Sequence, residues 1–344
     1  MRIALDATYS VGRDLSGVGV YSREILNGLP KAHPEAEFLF CYRPHRLLRS
    51  LGERLPRNCR RSLLHEPLVP RSADLFHGMN QRLPRARLPR AVTTFHDLFA
   101  LSGDYSSPEF RRRFEEQARD AAQRSELIIA VSEFTARQVE ELLGVERQRL
   151  RVIPHGVRFP AGRETNQPRE QVVLHVGAIQ KRKNISRLVT AFEKLDPEWR
   201  LVLAGSMGYG AGEILNDIQR SPRRDRIRIL GYVSDQELAG WYQRASIFAF
   251  PSLDEGFGMP VLEAMALGVP VLTSNSSALA EVSGAAALLV DPMNPDAIAS
   301  GLRELAANQE LRNKLSDRGK RRAAGFSWEA AVSRTWAAYR EVLR

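Results

Sequence analysis

Short apolar runs alternate with helix-period segments along most of the chain, and this alternation constrains the fold more than any other feature. Most runs are continuously rich in Val, Ile and Leu, as is typical of strands covered on both sheet faces. Strand–helix repeats of this kind predict an α/β fold with right-handed parallel units wound into open sheets. The expected strands are RIALDAT, EFLFCY, AVTTFHD, LIIAVS and RLRVIP, then QVVLHVGA, RLVLAGS, RIRILGYV, IFAFPS, PVLTSN and AALLVD.

The strand series breaks at residues 158–171, where RFPAGRETNQPREQ combines two prolines and a glycine with polar residues. At 344 residues the chain is also too long for a single core of ordinary size. We therefore predict two Rossmann-like, doubly wound domains, residues 1–163 and 164–325, facing a cleft that holds the ligand. The apolar pattern of residues 326–344 predicts an amphipathic helix with Ser327 as its N-cap. We expect this helix to pack back on the first domain.

Composition limits the kind of protein and its partners. No apolar run approaches the roughly eighteen residues of a membrane-spanning helix, and the start MRIALDATYS lacks the features of a secretory signal. We therefore expect a cytoplasmic protein, with peripheral contact to the inner face of the membrane as a further expectation. Cys41 and Cys59 have no close Cys or His partner, so neither a disulfide nor a zinc site is predicted. The net charge of +10 favours anionic partners.

The stretch EGFGMPVLEAMALG, residues 255–268, places two carboxylates around a sharp turn and an apolar helix. Pro260 suits the first turn of a helix, and Gly256 and Gly258 let the backbone approach a ligand. The N–H groups at a helix start suit a phosphate or a sugar hydroxyl. Because the helix is apolar nearly all round, Glu263 inside it needs a partner, and ribose hydroxyls would supply one.

A basic turn, VGAIQKRKNI at residues 176–185, follows the first strand of the second domain. Arg182 and Lys183 fall just before a helix start, for which Asn184 is the expected N-cap. A guanidinium fork beside a point charge suits a pyrophosphate. A solvated basic loop is the alternative, and the preceding strand favours phosphate binding.

A glycine turn after the first strand, SGVGVYSREIL, offers the amides of Gly17, Val18 and Gly19 to a phosphate. The third glycine of a dinucleotide fingerprint is replaced by Ser22, which argues against NAD. A plain strand-to-helix turn is an equal alternative. His96, in TTFHDLF, ends a buried strand at the edge where ligands of such sheets bind, although a lone histidine is more often structural.

These motifs together resemble the family 4 retaining nucleotide-sugar glycosyltransferases, which have the GT-B fold. The stretch from Glu255 to Glu263 is similar to the family's E-x7-E signature. GVGVYSREIL, TTFHDLFAL, VSEFTARQV, VIPHGV and VGAIQKRKN are similar to its landmarks in the same order. The resemblance covers essentially the whole chain. It implies a hexosyltransferase that works in cell-surface polysaccharide or glycolipid assembly. The QKRKN loop resembles that of mannosyl-transferring members, which suggests mannose as the sugar.

The resemblance also implies roles for the catalytic candidates. Lys183 and Arg182 would neutralise the leaving nucleoside diphosphate, with Arg182 taking more of that role because Ile179 stands where many relatives carry arginine. Glu255 would orient the sugar hydroxyls, and His96 would contact the donor sugar without acting as a base. Glu263 would hold the ribose. The other predicted donor contacts are Gly256, Phe257, Gly258, Met259, Pro260, Val261, Gly205 and Ser206, and, for the nucleobase, the backbone of Tyr232 and Val233.

No D-x-D triplet and no clear nucleophile occur, which predicts a front-face, metal-independent reaction with no cofactor. The expected partners are the nucleotide-sugar donor and a glycan or lipid-linked acceptor. For the arginine-rich stretch 43–61, contact with anionic lipid and a solvated face are equal alternatives; in 108–124, interleaved acids favour a solvated face. The competing functions are a nucleotide-sugar epimerase of similar two-domain build and, prompted by the charge, a nucleic-acid-binding protein without a recognised binding fold.

Overall fold

The chain, for which we have a computed structural model, is described over residues 1–12, 15–66, 69–70, 72–157 and 168–344. It forms two compact units. The first unit consists of Met1–Ser102, Pro108–Gly156 and Ser327–Arg344. The second unit consists of Gly103–Ser107 and Val157–Phe326. The boundary predicted between residues 163 and 164 lies outside the described residues.

The first unit contains a seven-stranded parallel sheet with the order β3-β2-β1-β4-β5-β6-β7. Its strands are β1 Arg2–Asp6, β2 Glu37–Tyr42, β3 Cys59–Leu63, β4 Leu75–Gly78, β5 Ala91–Phe95, β6 Leu127–Ala130 and β7 Leu150–Val152. Strands β3 and β4 were missing from the sequence prediction. The edge strand β3, CRRSL, carries two arginines, and β4, LFHG, is only four residues long.

The second unit contains a six-stranded parallel sheet with the order β10-β9-β8-β11-β12-β13. Its strands are β8 Glu170–Val176, β9 Arg200–Ala204, β10 Ile227–Gly231, β11 Ala245–Phe250, β12 Val271–Ser274 and β13 Leu288–Val290. All six correspond to apolar runs predicted as strands. Two parallel sheets in two units confirm the predicted α/β class.

Helices connect the strands in both units. They are α1 Gly17–Ala32, α2 Pro44–Ser50, α3 Phe99–Ser102, α4 Pro108–Arg124, α5 Glu133–Leu143, α6 Ile185–Phe192, α7 Ala211–Arg220, α8 Asp235–Arg244, α9 Met259–Ala266, α10 Ser277–Ser283, α11 Pro295–Ala307, α12 Gln309–Ala323 and α13 Trp328–Leu343. Helix α13 belongs to the first unit, and the Ser327 hydroxyl caps it by accepting from the Ala330 N–H at 3.1 Å. None of the helices in the described part of the chain is long and apolar enough to cross a membrane.

Helices cover the sheets so completely that central strands are buried along their length. Every residue of β5 and β11 is buried, which explains their continuous apolar character. Phe76 and Phe95 are fully buried in the first core, and Leu203 and Ile247 in the second. Burying one such phenylalanine side chain contributes about 1.5–3 kcal/mol to stability.

Each sheet has one point at which the strand order reverses, between β1 and β4 in the first and between β8 and β11 in the second. Helices that leave the two flanking strands there go to opposite faces of the sheet and leave a crevice at the carboxyl ends. Ligands of open parallel sheets bind at such points. The loops after these four strands are therefore where functional side chains are to be sought.

Candidate functional site

Three charged side chains meet at the reversal point of the second sheet. Arg182 and Lys183 lie in a 3₁₀ turn, Lys181–Lys183, that follows β8, and Glu255 lies in the loop after β11. Arg182 Nη1 is 3.0 Å from Glu255 Oε2, and Lys183 Nζ donates to Glu255 Oε1. All three residues are less than a tenth exposed, at 8%, 8% and 7%. The structure thus joins residues predicted for the phosphate and for the sugar into one ion cluster.

The cluster keeps Glu255 ionised although the residue is buried. Burial by itself raises the pKa of the Glu255 carboxyl, but Arg182 and then Lys183 more than offset this, and the pKa is lowered. Arg182 Nη1 also donates to the Asp254 carbonyl oxygen at 2.6 Å, and Lys183 Nζ lies 4.7 Å from the centre of the Phe250 ring. Buried charges of this kind are stable only while each keeps a partner.

Asn184, the predicted N-cap, fixes the basic turn in place through its side chain. It stands at the N-cap position of α6 with a left-handed backbone, φ 60°, and makes no side-chain capping bond. Its amide donates instead to the carbonyl oxygens of Pro251 at 2.9 Å and Pro292 at 2.7 Å. Asn184 is thus the N-cap residue of α6, as predicted, but its side chain bridges the loops after β11 and β13 and does not cap the helix.

The loop at Gly205 and Ser206, predicted to lie beside the phosphate, packs directly against the basic turn. A Cβ on Gly205, whose φ is +156°, would lie 2.0 Å from the Gly177 carbonyl oxygen. The Ser206 carbonyl oxygen accepts from the Ile179 N–H at 2.8 Å. A glycine is therefore required where the strand ends of β8 and β9 meet.

The start of α9 has the sharp entry that the sequence predicts. Gly258 is left-handed at φ +92°, and a Cβ there would lie 2.5 Å from Leu279 Cδ2. Pro260 occupies the first turn. Val261 is fully buried, and its N–H donates to the Gly258 carbonyl oxygen at 3.0 Å. Met259 is half-buried beside them.

Phe257, which was predicted as a substrate contact, packs its side chain into the second unit. It is 5% exposed and meets the Phe326 ring edge-to-face at 5.9 Å. Its side chain therefore supports the loop between Gly256 and Gly258.

Glu263 has a partner within the protein that sequence analysis missed. The hydroxyl of Tyr242, on α8, donates to Glu263 Oε2 at 3.2 Å. Burial, and then the neighbouring Glu263, raise the pKa of Tyr242 well above its usual value, so the phenol remains a donor. Tyr242 belongs to no recognisable motif, and only the packing of α8 against β8 and β11 brings it there.

The nucleobase candidates follow β10. Gly231 is left-handed at φ +70°, and its carbonyl oxygen accepts from the Gly205 N–H at 2.8 Å. Tyr232 is 53% exposed and Val233 is half-buried. This loop is thus tied to the one after β9 through its backbone.

His96, in the first unit, lies directly after β5 and is neutral. Its Nε2 is 2.9 Å from the Met79 carbonyl oxygen, and its Nδ1 is 3.3 Å from His155 Nε2. Burial lowers the pKa of His96 to about 4. A neutral imidazole that donates to a carbonyl is held rigidly, and its predicted contact with the donor sugar stays a prediction.

The glycine turn at Gly17, Val18 and Gly19 forms the first turn of α1. The Gly19 N–H donates to the Ser16 hydroxyl at 3.3 Å, and a Cβ on Gly19 would lie 2.9 Å from the Tyr9 carbonyl oxygen. The alternative of a plain strand-to-helix turn accounts for Gly19, because the Gly19 N–H donates to Ser16, the N-cap of α1.

Within the part of the chain that the structure describes, no group of three or more His, Cys, Asp or Glu side chains is arranged to hold a metal ion. The reaction without metal or cofactor remains a prediction from sequence.

Known protein families match nearly the full chain. The family described as Glycosyltransferase Family 4 matches residues 15–159, and the family described as Glycosyl transferases group 1 matches residues 161–322. The O-antigen chain mannosyltransferase B of Escherichia coli is 34% identical over 282 residues, which cover 77% of this chain and 74% of that protein. For several other curated relatives, the chain spans only 60% to 62% of their length.

Solved structures share the fold over both units. Sucrose-phosphate synthase from Thermosynechococcus elongatus, 23% identical, matches with a TM-score of 0.81 over 99% of this chain and 98% of that one. HepE of Anabaena in complex with UDP and glucose, 16% identical, matches with a TM-score of 0.74 over 98% and 99%. These likenesses confirm the GT-B fold class predicted from the sequence.

Proposed function

This chain belongs to family 4 of the glycosyltransferases, and from that premise we propose that it transfers a sugar from a nucleoside diphosphate donor to an acceptor hydroxyl. The observation that carries this proposal is the buried cluster of Arg182, Lys183 and Glu255 at the reversal point of the second sheet. Two cations at the carboxyl end of β8, beside the start of α9, suit a diphosphate.

The cluster indicates how the donor is taken up. Before the donor binds, Glu255 pairs with both Arg182 and Lys183 and offsets one of their two positive charges. An arriving diphosphate replaces the carboxylate as their partner, so neither cation is left buried and unpaired. Glu255 then turns to the hydroxyls of the transferred sugar. Glu263, held by the Tyr242 hydroxyl, accepts from the ribose hydroxyls.

The transfer proceeds on one face of the sugar and retains the anomeric configuration. The bond from the anomeric carbon to the diphosphate oxygen breaks while the bond to the acceptor oxygen forms. The acceptor proton passes to the departing phosphate oxygen. Arg182 and Lys183 stabilise the negative charge that grows on this leaving group.

Mannose is the proposed sugar, and surface-polysaccharide or glycolipid assembly is the proposed setting. The support is the 34% identity to the O-antigen chain mannosyltransferase B. The basic QKRKN loop in the sequence points the same way.

A thermal-shift panel of GDP, UDP, ADP and their sugars tests the donor site. We expect one nucleoside diphosphate to raise the melting temperature of the wild type and of Lys181→Gln, whose side chain is exposed. We expect the rise to be lost in Lys183→Gln, which makes the same charge change at a buried position. If no nucleotide stabilises the wild type, the proposed function is wrong. Conversion of the donor sugar without any acceptor would instead identify an epimerase.

We also propose peripheral contact with anionic membrane lipid through α2 and the residue after it. Leu48 is 76% exposed and Leu51 is 62% exposed, and Arg49 stands between them on the solvent side. Exposed leucines among arginines suit a lipid–water interface. Leu48→Ser with Leu51→Ser should abolish flotation with phosphatidylglycerol vesicles, whereas Leu289→Ser, an exposed leucine of the second unit, should not. Equal flotation of all variants contradicts this contact.

A further inference from the structure

A pocket of about 900 Å³ in the first unit lies beside the carboxyl ends of β2 and β4. Its lining includes the four arginines Arg43, Arg82, Arg85 and Arg113. Arg43 directly follows β2, and Arg82 lies in the loop after β4, so both stand at the edge where parallel sheets bind ligands. We call this cavity the arginine pocket. Arg43 and Arg113 come from the arginine-rich stretches 43–61 and 108–124, whereas Arg82 and Arg85 lie outside every motif singled out in the sequence.

The pocket lining also holds three acids, Glu66, Glu116 and Asp120, but three of its arginines are not paired with an acid in the way that Arg182 and Lys183 are. Within the described ranges, the guanidinium groups of Arg43, Arg82 and Arg113 form no ion pair, although other arginines of the first unit do. Arg43 and Arg82 are half-buried, and Arg113 is exposed at the rim. Asp120, which also lines the pocket, is paired with Arg124 at 2.9 Å.

Arg43 and Arg113 lie close enough to Arg82 to repel its positive charge. Burial lowers the pKa of Arg82, Arg43 and Arg113 lower it further, and only Tyr9 and Asp6 act in the opposite direction. Asp6, buried at the end of β1, accepts from the Thr8 N–H at 3.0 Å. Partly desolvated cations that face each other favour any anion that can enter between them.

Size and lining indicate what kind of anion fits. A volume near 900 Å³ is at the upper end of the range for small-molecule sites, and it exceeds what a lone phosphate ion needs. Leu64, Val69 and Leu83 supply apolar surface next to the guanidinium groups. A guanidinium fork matches the oxygens of a phosphate group in two places at once.

We propose that the arginine pocket binds a phosphate group of the acceptor, so that this enzyme glycosylates a phosphorylated acceptor. The inference rests on the proposed transferase function and adds the chemical class of the second substrate. The phosphate belongs either to a soluble glycosyl phosphate or to a prenyl diphosphate that carries the glycan.

The test uses the full chain saturated with the nucleoside diphosphate that the thermal-shift panel identifies, so that the donor site is occupied. Mannose 1-phosphate, a short-chain prenyl diphosphate mannose and free mannose are then titrated calorimetrically. We expect at least one phosphorylated compound to bind and free mannose not to bind. Arg82→Gln should weaken that binding by about tenfold or more, as for loss of a hydrogen bond to a charged group.

Arg87→Gln is the matched control, since it removes the same charge from an exposed arginine outside the pocket lining. If Arg82→Gln fails to fold, Arg113→Gln at the exposed rim replaces it. Binding of only the prenyl compound identifies the phosphate source as lipid-linked. Equal binding to the wild type and the pocket variant overturns the proposal.

Transfer kinetics separate this inference from the proposed function. The pocket variant should raise KM for the phosphorylated acceptor by about tenfold and leave KM for the donor unchanged. Unchanged acceptor KM with normal nucleotide binding would disprove the acceptor assignment and leave the transferase function intact. Absence of nucleotide binding by the wild type would remove the transferase premise itself.

Discussion

The two sheets place similar charges at equivalent points but pair them differently. In the second sheet, Glu255 is bonded to both Arg182 and Lys183. In the first, the buried Asp6 accepts from a backbone N–H, and no ion pair joins it to Arg43 or Arg82 within the described ranges. The charges of the second sheet thus include their own counter-ion, whereas Arg43 and Arg82 of the first form no ion pair within the described residues. Position in the fold therefore brings charges together, and the loops decide whether those charges are matched.

The largest effect should follow from breaking the matched cluster. Glu255→Gln removes the carboxylate charge that is paired with the buried Arg182 and Lys183, and we expect a loss of about 3–5 kcal/mol in the free energy of unfolding. Urea denaturation measures it. The bound nucleoside diphosphate should restore more stability to this variant than to the wild type, because it supplies the missing negative charge.

The control for this prediction is Asp296→Asn, which removes an acid paired with Lys194 at the surface of the same unit. No measurable loss of stability is expected there. A Glu255→Gln protein as stable as the wild type would mean that the ion pairs of Glu255 with Arg182 and Lys183 do not stabilise the second unit, and the contrast with the first sheet would fail.

A medium effect should appear in nucleotide affinity. Glu263→Ala should weaken nucleoside diphosphate binding by about tenfold, as for loss of a charged hydrogen bond, with the fold intact. Tyr242→Phe, which removes only the hydroxyl that donates to Glu263, should weaken it less. Calorimetric titration measures both, and Asp6→Asn in the first sheet should bind as the wild type does. Unchanged GDP and UDP binding by Glu263→Ala would refute the ribose assignment.

The smallest effect should be on the pH dependence of stability, because acid should change the contributions of Glu255 and Asp6 in opposite directions. The lowered pKa of Glu255 means that it adds stability above its ordinary value of 4.5, and this is lost as pH falls through the lower folded value. Burial raises the pKa of Asp6, and its Thr8 hydrogen bond, Arg43 and Arg82 offset this only in part. Its ionisation therefore costs stability, and the cost fades as pH falls through the raised value.

Urea unfolding of the wild type, Glu255→Gln and Asp6→Asn between about pH 3 and pH 7 should reveal this contrast. The advantage of the wild type over Glu255→Gln should shrink on acidification. The stability of Asp6→Asn relative to that of the wild type should be highest at neutral pH, where the ionisation of Asp6 costs the wild type stability. If both differences change in the same direction, the contrast between the clusters fails.

Sequence predicted the second sheet more completely than the first for a physical reason. The strands of the second sheet are continuous apolar runs, whereas β3 contains arginines and β4 is short. Without β4, nothing in the sequence brings Arg82 next to the strand end at Asp6, so the arginine pocket could not be predicted.

The candidate site shows the same limit at the level of single contacts. Motifs identified Arg182, Lys183, Glu255 and Glu263 individually. They did not reveal that Lys183 bonds to Glu255, 72 positions away, because only the fold determines that pairing. Tyr242 lacked any local signal, since its role arises from the packing of α8.

Asn184 has a consequence for the kinetics of binding. By bridging the carbonyl oxygens of two neighbouring loops, its amide holds the turn rigid before any ligand arrives. A turn that is already ordered gives up little conformational entropy at encounter, so association should not wait for a slow loop rearrangement. Substitutions of Asn184 should accordingly slow nucleotide association, even though the hydrogen bonds of this side chain within the described residues go to backbone oxygens and come from the Arg187 guanidinium.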